Sequence, residues 1–363
     1  MTEAPPAALD SIDLDTALAA LEPCAPRIEV EVARLPLREP FRISDHVFHH
    51  IETVVLHLEA DGCVGRGEAA GVFYLDDTPS LIAQRLADVR PAIAQGVDHA
   101  RLAQLFPAGG ARNAFDCALW DLQAQRMGTP VWSLLGMAPP GPLLTTYTIG
   151  CVAPGRMAAQ AAGYADARAI KIKLCGDEED DRRIAAVRAA RPDVWLAIDA
   201  NRSLTPATLR HLVPALRAAG VQLVEQPFAI GADDALAGFD LPMALAADES
   251  IQTIADLDRL AHLYRVVNIK LDKCGGLTDG LRLAQRARAL GLEVMVGNML
   301  GTSLAMAPAW LLGQFCKIVD LDGPIFLKAD CAPGAIYGNG YMDCPAALWG
   351  SGQQRVHFPS ALS

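Results

Sequence analysis

The sequence predicts an α/β fold, in which an eight-stranded (β/α) barrel of TIM type follows a separate α+β domain. Three features of the 363 residues predict it. Between residues 143 and 321, eight short and nearly continuous apolar stretches alternate with helical segments, as strands buried on both faces of a parallel sheet require. Charged residues stand at the ends of these strands, about one βα unit apart. Before the break Pro139-Pro140-Gly141-Pro142 the texture differs, with strands first and helices after. A doubly wound open sheet is the structural alternative to the closed barrel.

Residues 1–26 are rich in Ala and Pro and read as a loosely attached extension, with a short helix over Leu14 to Leu21. Residues 27–140 form the α+β domain. Ile28-Glu29-Val30-Glu31-Val32 alternates with the period of a strand, Thr53 to Leu58 follows as a second, and Asp61-Gly62 turns the chain into Gly65-Arg66-Gly67-Glu68. From Ser80 to about Leu135 apolar residues recur at spacings of three and four, the mark of helices. Residues 141–328 carry the barrel strands: Leu143–Ile149, Ala169–Leu174, Val194–Ile198, Val221–Val224, Met243–Ala246, Val266–Leu271, Glu293–Val296 and Ile318–Leu321. Residues 329–363 are rich in Gly and Pro and are expected to pack back on the first domain.

Composition sets bounds on function. With 52% hydrophobic and 20% charged residues, a large core is within reach. A formal net charge of −11 with no basic stretch argues against a nucleic-acid partner or an anionic membrane surface. Nine cysteines are scattered without a CxxC pair, which excludes a zinc ribbon or a dithiol motif and suits small apolar core residues in a reducing, cytoplasmic compartment. The N-terminus lacks a basic segment followed by an apolar run, and no stretch matches a membrane helix, so an unexported, soluble protein is expected.

The chemistry lies at the strand ends. Lys171 and Lys173 sit in Ala-Ile-Lys-Ile-Lys-Leu, where a period of two turns both to one side. Asp199 ends Leu-Ala-Ile-Asp, Glu225 stands in Leu-Val-Glu-Gln-Pro, Asp248 in Leu-Ala-Ala-Asp-Glu-Ser and Lys270 in Val-Asn-Ile-Lys-Leu. The steps from Lys173 are 26, 26, 23 and 22 residues. Such spacing brings the charges together at the mouth of a barrel, the face that holds barrel active sites. Three carboxylates on successive strands repel one another unless a hard divalent cation neutralises them. All-oxygen ligands favour Mg2+, or Mn2+, over zinc. Taken singly, each acid is more often a solvated loop residue; in register and flanked by lysines, the three read as ligands. Lys173 and Lys270 fall on the second and sixth strands, on opposite sides of the ring. A substrate carboxylate on the metal would present its α-carbon with one lysine on each face. A nearby cation and Lys171 would lower a lysine's pKa enough for it to act as a base.

In this order and spacing, Lys-Ile-Lys, Asp-Ala-Asn, Glu-Gln-Pro, Asp-Glu-Ser and Asn-Ile-Lys resemble the enolase superfamily, and within it the muconate-lactonizing subgroup. A Lys or His base working with magnesium is a known pattern of that superfamily. The resemblance covers about residues 28 to 350 and implies a (β/α)7β barrel under an α+β capping domain whose loops close on the substrate. The seventh strand runs into Met-Val-Gly-Asn-Met-Leu-Gly-Thr-Ser without a histidine, which sets aside the mandelate racemase-like subgroup.

Asp320-Leu321-Asp322 selects among the subgroup's reactions. The resemblance to dipeptide epimerases implies that this pair binds a substrate's N-terminal ammonium, and two carboxylates would repel an N-succinyl group. The expected activity is therefore an isomerase: a dipeptide epimerase inverting the α-carbon of the C-terminal residue through a metal-stabilised enolate. Lys173 and Lys270 exchange the proton, and Asn298, Met299 and Leu300 position the substrate. Asp45, His46 and Phe48 in the capping loop are expected to select the side chain, with Phe73, Tyr74 and Asp76 as weaker candidates. His46 stands where Ala-Glu epimerases carry a basic residue, typically arginine. The alternatives are an N-acylamino acid racemase or another muconate-lactonizing enzyme and, more remotely, a non-catalytic binding protein. The resemblance also allows a homo-oligomer.

Overall fold

The computed structural model describes residues 9–44 and 46–350. In the first domain, β1 (Arg27–Arg42), β2 (Val47–Ala60) and β3 (Cys63–Ala69) form an antiparallel meander. Asp61 and Gly62, at φ 52° and 76°, make the two-residue turn between β2 and β3 that the sequence predicts. Val54, Leu56 and Leu58 alternate inward from β2 and pack on Phe115, Leu119 and Leu122 of the helix Gly110–Met127. Gly65 and Gly67 explain the Gly-Arg-Gly-Glu motif. A Cβ on either would lie 2.0 Å from the carbonyl oxygen of Ala118 or Ala114, so β3 reaches the helix only as glycine.

The barrel follows. Beyond β4 (Leu143–Leu144), the parallel strands are β5 (Tyr147–Ile149), β6 (Ala169–Lys173), β7 (Trp195–Asp199), β8 (Leu223–Glu225), β9 (Ala244–Ala247), β10 (Val266–Ile269), β11 (Glu293–Val296) and β12 (Ile318–Val319). Each of β5 to β12 pairs with the next in sequence order. The backbone N–H of Thr146 donates to the carbonyl of Val319 at 2.9 Å, joining the two ends of the ladder. Helices cover the outside, except that a 3-10 turn, Asp233–Gly238, links β8 to β9.

The first expected barrel strand, Leu143–Ile149, divides in two. β4 leaves the ring and pairs antiparallel with β14 (Tyr341–Asp343), itself paired with β13 (Ile336–Gly338). The reason is local. The N–H of Thr145 donates to Gly340 and that of Thr146 to Val319, so neighbouring amides serve different sheets.

From Leu9 on, the N-terminal extension is packed rather than loosely attached. Leu9, Ile12, Leu14 and Leu21 are buried in the barrel's own core, and Gln285 donates to the Ile12 carbonyl. Burial of four large apolar residues outweighs the Ala/Pro-rich composition that suggested a free arm. At the other end, Trp349 Nε1 donates to the carbonyls of Arg66 and Cys117 in the first domain.

Buried polar contacts join the two domains. Glu68 accepts from the N–H and hydroxyl of Thr302, Asp272 from the Gly71 N–H, and Asp116 from the N–H and hydroxyl of Thr278. The thiols also differ from expectation. Cys151 and Cys175 form a disulfide, because successive strand-end loops bring their Cα atoms to 5.4 Å. The other seven are free. Among the described residues no helix is long and apolar enough to cross a membrane.

Candidate active site

Strand register assembles the site. Lys173 pairs with Asp199, Asp199 with Glu225, and Glu225 with Ala246, so three functional residues share one rung. Asp248 stands two residues beyond Ala246, hence on the same side. Lys270 directly follows β10, and Asp320 directly follows β12. All of these side chains are buried.

One carboxylate oxygen from each of Asp199, Glu225 and Asp248 lies within 4.8 Å of the other two. Three hard oxygen donors on adjacent strands fit a divalent cation such as magnesium. Each lysine is held by its own carboxylate. Lys173 donates to Asp199 at 2.5 Å and Lys270 to Asp248 at 2.6 Å. Lys171 donates to Asp320 and, at 3.2 Å, to Glu225.

Four more residues complete the cluster. Lys273 donates to Asp248 Oδ1 at 2.6 Å, and Asn268 donates to Glu225 at 2.6 Å. Asn201 bridges Asp199 and Glu249 at 3.3 Å each. Asn201 and Glu249 belong to the Asp-Ala-Asn and Asp-Glu-Ser motifs, so their signal was in hand. Asn268 sits two residues before Lys270 on one strand face, a spacing that identifies it in retrospect. Lys273 lies in the turn Leu271–Cys274 after the strand, where strand period gives no guide.

Six carboxyl groups (Asp199, Glu225, Asp248, Glu249, Asp320, Asp322) face four ammonium groups (Lys171, Lys173, Lys270, Lys273). The excess of negative charge shows in their acidities. Burial, then Asp199, pushes Glu225 up to about 7. Burial, then Asp248, pushes Glu249 up to about 8. Burial, then Asp320, pushes Asp322 up to about 7. Asp248 goes the other way. Burial would raise it, but Lys270 and Lys273 together hold it far below the carboxylate range. The Arg202 guanidinium pairs with Glu249 at 3.4 Å, and a divalent cation would offset the negative charge that still remains.

Without a cation, Lys171 and Lys270 are governed by the carboxylates around them. Burial presses Lys270 down, but Asp248 and Glu225 outweigh it and hold the ammonium above its ordinary range. Lys171 is held up in the same way by Asp320, Glu225 and Asp199. Neighbouring carboxylates thus dominate over the neighbouring ammonium. Drawing those carboxylates onto a cation is what would free a lysine to act as a base.

A cavity of about 260 Å³ opens above this floor. Lys171, Lys173, Lys270, Asp320, Asp322, Asn298, Met299, Leu300 and Phe48 all line it, as do Phe73 and Tyr74. Asp322 gives one oxygen to the Thr148 N–H at 2.6 Å. Asp320 is engaged by Lys171 and the hydroxyls of Thr146 and Thr148, so the two acids are not equivalent. Tyr74 comes from the capping domain, with its ring 5.0 Å from the Arg202 guanidinium and its buried hydroxyl unpartnered. His46 is not in the lining. Its exposed ring packs on Phe48 and Phe73, at 4.4 and 5.2 Å, rather than entering the lining itself. Asp76 is also outside the lining and ends a 3-10 turn at φ 56°. Asp45 lies outside the described residues.

Residues 156–344 match the family described as Enolase C-terminal domain-like, and residues 27–136 match the Mandelate racemase / muconate lactonizing enzyme, N-terminal domain. The chain belongs to the enolase superfamily. Among its superfamily relatives is the L-Ala-D/L-Glu epimerase of Escherichia coli (strain K12), 37% identical over 85% of this chain and 96% of the relative. An N-acetyl-D-glutamate racemase from a Pseudoalteromonas species is 39% identical over 71% of this chain and 81% of its own. Among superfamily structures, the dipeptide epimerase of Methylococcus capsulatus, complexed with Mg and L-Arg-D-Lys, superposes with a TM-score of 0.81. It is 31% identical and covers 87% of this chain and 96% of its own. The eight-stranded barrel with its capping sheet is thus the superfamily's fold.

Proposed function

We propose that this protein is a magnesium-dependent dipeptide epimerase, an isomerase that inverts the α-carbon of the C-terminal residue by two-base proton transfer. The observation that carries the reading is the placement of Lys173 and Lys270 on β6 and directly after β10, with the carboxylate trio on the strands between them. Asp199, Glu225 and Asp248 hold the cation, which supplies positive charge against the negative charge that develops as the α-proton leaves. Manganese meets the same oxygen donors.

The remaining steps belong to the chain's own side chains. Lys173 and Lys270 take and return the proton on opposite faces of the α-carbon. Lys273 and Asn268 hold Asp248 and Glu225 in place as positioning residues. Asp322 accepts the N-terminal ammonium with the oxygen that Thr148 leaves unused, and Lys171 fixes Asp320 beside it. Asn298, Met299 and Leu300 border the bound dipeptide. The seven free thiols support a reducing compartment, the cytoplasm.

The racemase reading keeps the two lysines and replaces the free amine by an acyl group. Its support is the 39% identity to the N-acetyl-D-glutamate racemase. Asp322, which has no ion-pair partner among the described residues and whose acid is raised by burial and Asp320, favours an incoming ammonium over an acyl group. Proton NMR in D2O, with magnesium and paired dipeptides and N-acylamino acids, tests the two. Deuterium entering the C-terminal α-position of a dipeptide, with both diastereomers appearing, is the expected result. Exchange confined to N-acylamino acids would reverse the assignment.

A further inference from the structure

The roof of the cavity points to the substrate's side chain, an inference that rests on the dipeptide reading above. Phe41, Ile43, Phe48, Phe73, Leu300 and Phe326 line it from both domains. They form one packed apolar cluster rather than isolated contacts. Phe41 and Phe326 lie 4.8 Å apart by ring centroid, and Phe48 meets Phe73 edge-on at 5.5 Å. A wall of this kind recovers free energy only from an apolar or aromatic guest.

Charge in the lining argues the same way. Among the described residues, the lysines that line the cavity are Lys171, Lys173 and Lys270, and each already donates to a carboxylate of the floor. On the capping side, among the described residues, the ionisable members of the lining are His50, Glu52 and the phenol of Tyr74. Arg34 sits 3.2 Å from His50 Nδ1, so that side of the ring is already engaged by a cation rather than open to an acid. Glu52 is an anion, half-exposed and 3.8 Å from His50 Nε2. An acidic side chain entering this roof would lose its hydration without gaining a partner. A cationic one would meet, on the capping side of the described lining, only Glu52 at the wet rim, where such pairing contributes little.

We infer that the enzyme prefers dipeptides whose C-terminal residue is apolar or aromatic, and that Phe48 and its aromatic neighbours set this preference. The test uses the full chain with Mg2+ and compares kcat/KM for L-Ala-L-Phe, L-Ala-L-Leu, L-Ala-L-Glu and L-Ala-L-Lys, read as α-deuteration in D2O. The expected ranking puts the first two at least about 10-fold above the last two. Phe48→Arg, at a half-buried position, should then lower the Leu-to-Glu ratio by about 10-fold or more, a readout unaffected by a general loss of rate. An unchanged ratio in that variant counts against Phe48 as a determinant. In the wild type, Glu or Lys equal to or above Leu would overturn the inference and leave the dipeptide reading standing. Exchange of N-acylamino acids alone would remove the dipeptide reading, and this inference with it.

Discussion

Lys173 and Lys270 each hold a different carboxylate, and that separation makes their roles experimentally distinct. With one base removed, the other still reaches its own face of the α-carbon. Lys173→Ala should therefore exchange the α-proton of one diastereomer only, and Lys270→Ala that of the other, with epimerisation lowered by about 1000-fold or more in both. Loss of exchange from both diastereomers in either variant would contradict the division of labour. The acidities yield a second expectation. Glu225 carries a proton below about 7 in the metal-free protein, and it must lose that proton to bind a cation. Magnesium affinity should thus rise as pH rises through 7, with proton release visible by calorimetry in buffers of different ionisation enthalpy. A pH-independent affinity between 6 and 8 would refute it. At this scale the trio and the lysines were legible because strand period and strand-end position fix them. Lys273 was not, since it enters from a turn whose direction depends on the tertiary fold.

Single elements carry the coupling between domains. Glu68 ends its strand against the start of the helix Ser303–Gly313, where Thr302 donates to it twice. Burial, only partly offset by these donors, lifts its acid to about 7. The folded protein therefore keeps this proton between about pH 4.5 and 7, whereas the unfolded chain has lost it. Stability from Glu68 consequently falls as pH rises through that window. Glu68→Gln, which mimics the protonated form, should gain on the wild type by about 3 kcal/mol across it. Parallel thermal-denaturation curves against pH for the two proteins would show that Glu68 does not titrate there. The β3 glycines were visible in sequence as a motif but not as a contact, because the helix they admit lies some 50 residues away. The division of β4 from β5 escaped for a related reason. Residues 143–149 contain no Gly, Pro, Asn or Asp to mark a break, and only the distant partners Gly340 and Val319 decide which amide joins which sheet.

In the whole molecule, the described residues at either limit, from Leu9 and up to Trp349, pack into the core. Leu9 and Leu14 are as buried as the barrel's own residues, so Leu14→Ala should lower stability by about 2–4 kcal/mol, measured by denaturant unfolding, although it lies far from the site. A change below about 0.5 kcal/mol would mean that the extension is an ornament. Composition alone could not foretell this, because a short Ala/Pro-rich segment has no periodicity long enough to reveal a buried face. The barrel's layout has a wider bearing on the proposed reaction. An ammonium stands at each end of the carboxylate arc, on β6 and after β10, so the two faces of a bound α-carbon meet the same chemical group. With a base on each face the reaction runs both ways, and the mixture settles at the ratio that the two diastereomers' own free energies set, not one the enzyme chooses. Which isomer accumulates in a cell is then settled elsewhere, by whichever peptidase, ligase or transporter removes one of the pair faster.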